Sequence, residues 1–379
     1  MTLQPTYAAA QLAADRIHHH LTTGSIPGQA PAENVATRPD PATLAVLMDA
    51  AFWTSLRREE GYVPRISLAF VSPEQVDDAV AFETSLSLDP KDLTKLAAAV
   101  ERAGLHLGVW PQKDELRVWG ITRNLPAFCL VLEVILPGLL VVKQSPSEES
   151  GKFINIAVLQ GDEIKIIDPQ FALSPSHPTL LPSLLRLEPQ TVIGSVVNVL
   201  LQLAVSMRAH RRGGTLLVVP AGSNEWIASI LQPITYSVAP AFSGLADLMR
   251  KDASGKPSRR WEDALERAVD GIAGLTAVDG ATLISSEYEL LAFGAKIVRR
   301  IGFPQVAQVI VTEPIEDGRP VIVEPAQFGG TRHLSAAQFV HDQRDAIALV
   351  ASQDGGFTVF AWSPSEEMVH AHRIDALLL

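Results

Sequence analysis

Two hydrophobic periods alternate along this chain, and their order outlines its architecture. Helical spacing first shows at Asp40-Pro41, where an aspartate suited to capping a helix precedes a proline suited to its first position. Leu44, Leu47, Met48, Ala51 and Phe52 then mark one apolar face. Asp89-Pro90 repeats the device, with Gly104 as the expected C-cap. Between and after these helices lie strand-like runs at Arg65–Val71, Leu105–Trp110, Leu116–Gly120, Phe128–Ile135 and Leu139–Val142. Phe153–Leu159 and Glu163–Ile167 flank Gly161-Asp162, a hairpin signal. This half predicts an α+β domain with considerable antiparallel sheet.

Residues 168–189 hold several prolines and read as a connector. A helix is expected over Thr191–Met207, closed by the basic run Arg208–Arg212, followed by a strand at Gly214–Val219. Trp261, Ala264, Leu265, Ala268 and Ile272 again keep a helical period. Three hairpins follow: Thr282–Ser285 with Glu289–Phe293, Gln308–Thr312 with Val321–Glu324 across Glu316-Asp317-Gly318, and Ala346–Ser352 with Phe357–Trp362 across Asp354-Gly355-Gly356. A helix beginning after His333 is expected to end near Phe339–Arg344. Helices alternate irregularly with strands, so α+β (or α/β-like) is expected here too. The N-terminus reads differently: a short helix at Gln11–Leu21, then Thr22–Pro39, rich in Thr, Gly, Pro and Ala. The expected organisation is a loose segment 1–39, a domain 40–180 and a domain 190–379.

Composition narrows the function. The chain has 379 residues, enough for two cores, and a formal net charge of −11. That balance argues against a general nucleic-acid binder, whose footprint is basic, but leaves room for a local cationic cluster. A single cysteine, Cys129, excludes an internal disulfide framework and a cysteine-built zinc site. It lies in an apolar run and reads as a buried structural thiol. The start of the chain lacks a basic region followed by an apolar core, so no signal peptide is expected. Leu125–Val142 is interrupted by Pro126, Glu133, Pro137 and Gly138, and Thr191–Met207 is short and carries Asn198 and Gln202, so no membrane span is expected. The expected location is cytoplasmic.

Two short motifs carry candidate chemistry. In Gly329-Gly330-Thr331-Arg332-His333-Leu334-Ser335-Ala336-Ala337, a hydroxyl, a guanidinium and an imidazole follow two glycines that let backbone N–H groups approach an anion. About fifty residues upstream, Asp279-Gly280-Ala281 puts one carboxylate at a crowded spot free of side chains, which suits a hard metal ion beside a nucleotide. Taken singly, Asp-Gly is a turn dipeptide and Arg-His an ordinary surface pair. His18-His19-His20 reads as a surface run, because adjacent helical residues point about 100° apart and cannot share one ion. Trp110 and Trp119 read as core. There is no Walker A loop, nucleophile elbow or dinucleotide-binding glycine fingerprint.

The two motifs together resemble the signature pair of the diadenylate cyclase (DAC) domain family. Gly213–Val219 looks like that family's early strand, and Asp345–Ser352 followed by Gln353-Asp354-Gly355 looks like its late one. The resemblance covers roughly residues 190–379. The N-terminal half resembles the sensor domain called DACNV that precedes some DAC domains. The resemblance implies a central mixed sheet flanked by helices, behind a smaller sensor domain whose ligand the sequence does not name. It implies condensation of two ATP into cyclic di-AMP and two pyrophosphates, each 3′-hydroxyl attacking the other nucleotide's α-phosphate. Two domains must then meet face to face, in a homodimer or higher homo-oligomer, with Mn²⁺ or Mg²⁺. It makes Asp279 the metal ligand or the base for the 3′-hydroxyl, with Gly280 and Ala281 giving the nucleotide room. Thr331, Arg332 and His333 would hold the triphosphate beside Gly330 and Ser335, and Asp354 would be a second metal-associated carboxylate. Three departures stand out. Leu334 replaces the family's second arginine, Gln353 replaces one of two late acids, and the two motifs are further apart than usual, which the hairpin at Glu316–Gly318 accounts for. Arg299 and Arg300 are candidate compensating cations; Leu216 and Leu283 read as core. The alternatives are a DAC-like module that binds a nucleotide without cyclising it, and a related nucleotidyltransferase with another product.

Overall fold

The computed structural model describes residues 5–23, 34–146, 153–168, 198–252 and 258–379. The chain divides after Ile167 into two compact units, the second being Asp168–Leu378. The expected connector falls almost wholly on residues 169–197, outside the described residues, as does the start of the helix expected at Thr191. Both units are α+β with mixed sheets.

The first unit contains helices α1 (Ala8–Thr23), α2 (Pro41–Ser55) and α3 (Pro90–Val100). Its eight strands are β1 (Ser67–Phe70), β2 (Val80–Ser87), β3 (His106–Gln112), β4 (Glu115–Thr122), β5 (Leu130–Leu136), β6 (Leu139–Gln144), β7 (Ile154–Gln160) and β8 (Glu163–Ile166). They form one sheet in the order β2-β4-β3-β1-β5-β6-β7-β8, in which only β1 and β3 run parallel. The caps work as the sequence suggests: Asp40 accepts from the Thr43 N–H at 2.7 Å and Asp89 from the Lys91 N–H at 2.8 Å. Gly104 is not a C-cap. Helix α3 ends at Val100, and Gly104, at φ +78°, serves the turn beyond.

The N-terminal segment departs from expectation. Its helix is longer than foreseen and is part of the core, burying Ala10, Ala13, Ala14 and Ile17 almost completely. A stripe of alanines lets α1 pack closely on α2. Its start is pinned: the Tyr7 ring stacks on Phe52 at 3.8 Å, and Asp49 accepts from the backbone N–H groups of Thr6 and Tyr7, both at 2.7 Å. One face of the sheet packs Leu68, Leu107, Leu132 and Leu140 against the helices. The other holds a smaller cluster around Val71, Trp119, Cys129 and Val131. Cys129 is buried, which pushes its thiol up to about 12.

The second unit has helices α4 (Val199–Ala209), α5 (Gly244–Asp252), α6 (Arg259–Leu275), α7 (Pro325–Phe328) and α8 (Thr331–Asp342). Its strands are β9 (Gly214–Val219), β10 (Tyr236–Phe242), β11 (Ala281–Ser285), β12 (Leu290–Ala295), β13 (Val309–Thr312), β14 (Val321–Val323), β15 (Ile347–Ala351), β16 (Phe357–Ser363) and β17 (Met368–Arg373). The sheet order is β10-β12-β11-β9-β15-β16-β17-β13-β14, with β9/β11 and β13/β17 parallel. Strand β9 is buried throughout, and its side chains divide by parity. Leu216 and Val218 face the core built on α4 and α6; Leu217 and Val219 face the core built on α8. Leu216 and Leu283 are fully buried core residues. The hairpin of β13 and β14 sits at the sheet's edge. Arg208 does more than complement a helix end, since its guanidinium donates to the carbonyls of Gly355 (2.9 Å) and Leu378 (3.1 Å). No described helix is long and apolar enough to cross a membrane.

Candidate functional site

Register in the second sheet creates the site. Ala281 on β11 pairs with Thr215 on β9 and with Ala295 on β12, so these residues form a row at the amino end of the parallel pair. Asp279 and Gly280 enter just before that row and Lys296 leaves just after it. Gly280 has φ +105°, and a Cβ there would come within 2.5 Å of the Gly294 carbonyl carbon. Only glycine lets the chain pass Gly294 and present Asp279 at the row's end. The Asp279 carboxylate is exposed and has no hydrogen-bond partner among the described residues.

Helix α8 supplies the other side. Ala336, Ala337, Phe339 and Val340 bury its sheet-facing stripe, while Thr331, Leu334, Ser335 and Gln338 follow the i, i+3, i+4, i+7 spacing and line the cleft with Arg332. The cleft also takes in Asp279, Gly280, Ala281 and Thr215, and its volume is about 810 Å³. The Arg332 guanidinium lies against Gly213, where a Cβ would stand 3.0 Å from its Nη1. Gly213 has φ +69°, so glycine is favoured there on two counts.

Three expected site residues stand elsewhere. The helix starts at Thr331, not after His333, and this phase turns His333 out of the cleft. Its ring packs edge-on to Phe328 (5.5 Å) and Phe360 (5.9 Å), with Nε2 3.4 Å from the Thr358 hydroxyl. Burial lowers its pKa, which favours the neutral ring. Gly329 makes room for that ring rather than for a ligand, since a Cβ there would lie 2.5 Å from His333 Cγ. Gly330 is the N-cap residue of α8 and does not line the cleft. Asp354 lies in the β15–β16 turn, where the Ser352 hydroxyl and the Gly356 N–H (3.3 Å) donate to it and hold its pKa below the usual carboxylate value. It does not reach the cleft. Ser335 lines the cleft, but its hydroxyl donates to the Thr331 carbonyl at 2.8 Å.

The structure adds Lys296, Gln305 and Gln338 to the cleft, and with them Arg299, one of the two candidate compensating cations. Arg299 faces it, but Arg300 does not: its guanidinium lies 4.8 Å from the Phe303 ring and 3.8 Å from Glu225. Three cations, Lys296, Arg299 and Arg332, thus share the cleft with one carboxylate in a chain of net charge −11. Such a surface suits a polyanion. Among the described residues no group of three or more His, Cys, Asp or Glu could hold a metal. A lone carboxylate beside side-chain-free backbone fits a hard ion that brings phosphate and water as its other ligands, and does not fit an all-protein cage.

Residues 33–123 match the family model described as probable sensor domain DACNV. The match covers the first unit from the lead-in to α2 through β4 and includes the parallel pair β1/β3. Among curated proteins, none matches the chain.

Proposed function

We propose that the second unit is a diadenylate cyclase domain, condensing two ATP into cyclic di-AMP and two pyrophosphates at a face-to-face pair of domains, under control of the DACNV-type sensor unit. The observation that carries this reading is the convergence, in one cleft, of Asp279-Gly280-Ala281 with Thr331 and Arg332, about fifty residues away in sequence. The cleft is large enough for a nucleotide. In this reading Asp279 would ligate the metal or accept the 3′-hydroxyl proton. Thr331 and Arg332 donate to phosphate oxygens, and a domain of this kind works by positioning and charge stabilisation. A divalent ion, Mn²⁺ or Mg²⁺, held by Asp279 together with the triphosphate, would supply neutralisation of the α-phosphate charge.

Full-length protein incubated with ATP and Mn²⁺ or Mg²⁺ should yield cyclic di-AMP by mass spectrometry, and Asp279→Asn should yield none while keeping its melting temperature. Product surviving in Asp279→Asn would remove Asp279 from the chemistry. A second reading, a nucleotide-binding signalling module without turnover, is favoured by Leu334 in the cleft and by the distance of His333 and Asp354 from it. Saturable ATP binding lost in Arg332→Ala, with no cyclic product, would establish that reading instead.

A further inference from the structure

The chain leaving β12 is fixed far more firmly than a surface loop needs to be. The Lys296 carbonyl accepts from the Leu231 N–H at 2.8 Å, and the Val298 N–H donates to the Ser229 carbonyl at 2.9 Å. Two residues on, the Arg300 N–H donates to Asp342 at 2.8 Å. Gln338 then takes the Val306 N–H at 2.9 Å and donates to the Pro304 carbonyl at 3.2 Å and to Asp342 at 2.8 Å. Gln338 and Asp342 are 7% and 3% exposed, so α8 keeps two buried polar side chains largely to strap this segment down. Between these ties project the side chains of Lys296 and Arg299. Both are exposed, both line the cleft, and neither has a carboxylate partner among the described residues. Arg300, the next residue, is spent on Phe303 and Glu225.

A tied-down backbone that carries two unpaired cations into a cleft is pre-organised for an anion at the level of the main chain, because little loop freedom is lost on binding. Arg332 and Thr331 stand on the opposite side, on α8, with Asp279 at the end of the row between. A ligand meeting both sides must carry negative charge along its length. We infer that Lys296 and Arg299 grip the outer phosphates of a nucleoside triphosphate, so that the cleft selects triphosphates over monophosphates. This inference rests on the nucleotide reading of the cleft. Lys296 and Arg299 then supply cationic contacts from the β12 side, which Leu334 on α8 does not offer.

The test uses full-length protein, Mg²⁺, and the probes 3′-deoxy-ATP and 3′-deoxy-AMP, which lack the attacking hydroxyl and so report binding alone. Calorimetry should show the triphosphate bound more tightly. Lys296→Gln and Arg299→Gln should each weaken it about tenfold, the loss of one charge-assisted contact, and leave the monophosphate unchanged. Both side chains are exposed, so thermal melts should match the wild type. If Arg332→Ala weakens the triphosphate while Lys296→Gln and Arg299→Gln do not, the inference fails and the nucleotide reading stands. If the wild type binds neither probe, both fail.

Discussion

The pair β1/β3 in the first unit and the pair β9/β11 in the second are parallel strands inside largely antiparallel sheets, and the amino ends of these two pairs have opposite fates. In the first unit that end is closed. Ser67 opens β1, His106 opens β3, and their side chains hydrogen-bond at 2.7 Å, with both residues buried. Glu133, paired across β5 with Ser67, is held by Lys143 at 2.7 Å. In the second unit the corresponding end is open: Thr215 and Ala281 floor a cleft whose carboxylate and three cations lack partners among the described residues. The same topological device is a satisfied polar seam in one place and a cleft of unpaired charges in the other. What differs is whether the charges have been paired. Satisfied buried groups hold a fold together; unpaired charges in a cleft are available to a ligand.

The sharpest way to break this contrast is a pair of substitutions at the two ends. Asp279→Asn should lower cyclic di-AMP formation by at least about a hundredfold, as removal of a group acting on the reacting atoms does, with stability unchanged. Ser67→Ala should do the reverse: it leaves a buried imidazole nitrogen unsatisfied and should cost about 1–3 kcal/mol in urea denaturation. Equal stability loss in both variants would mean that the cleft carboxylate is structural. Next in size is Gly280→Ala. Its Cβ would meet the Gly294 carbonyl carbon at 2.5 Å from a backbone at φ +105°, so about 2 kcal/mol or more of stability should go, with loss of ligand binding.

The closed end also predicts a pH dependence. Burial pushes His106 down to about 4, against the opposing pull of Glu133. A histidine whose folded pKa is depressed stabilises the fold fully above its unfolded value, near 6.5. As pH falls from there toward about 4, the unfolded chain takes up a proton that the native state refuses. Up to about 3 kcal/mol should be lost across that window, and His106→Gln should flatten the slope in pH-resolved denaturation. An unchanged slope in His106→Gln would assign the effect to other groups.

Sequence reading served best where the signal is local. Asp40-Pro41, Asp89-Pro90 and the turns at Gly161-Asp162 and Asp354-Gly355-Gly356 each encode a cap or a reversal within a few residues, and each forms as expected. The edge strands β2 and β10 gave no alternation to read, because both are mostly exposed and β10 contains Pro240. The burial of helix α1 is not visible in its pattern, because its buried stripe is mostly alanine, which gives little hydrophobic contrast. The two site motifs were legible as motifs, but their orientation was not. Starting α8 at Thr331 instead of after His333 decides which side chains face the cleft, since each residue turns about 100°. Lys296 was invisible for another reason: it reaches the cleft only because Ala281 pairs with Ala295, and register between strands is not written at either position alone.

The smallest effect compares the capped helix starts of the first unit with the start of α8. In the first unit, α2 and α3 start with aspartate caps that satisfy backbone N–H groups. Helix α8 starts at Gly330 with no side-chain cap, and a Cβ there would meet nothing within 4 Å at an ordinary φ of −74°. Gly330→Asp should therefore be accommodated and add a cap, raising stability by a few tenths of a kcal/mol. It would also bring a carboxylate next to Thr331 and Arg332, so triphosphate binding should weaken while the fold strengthens. Asp40→Ala should show the other combination, a loss of about 1 kcal/mol with nucleotide affinity untouched. Opposite signs for stability and binding in Gly330→Asp are what an uncapped helix start beside an anion site predicts. If Gly330→Asp left triphosphate affinity intact, the first turn of α8 would lie outside the anion's reach, and Arg332 would have to act through its side chain alone.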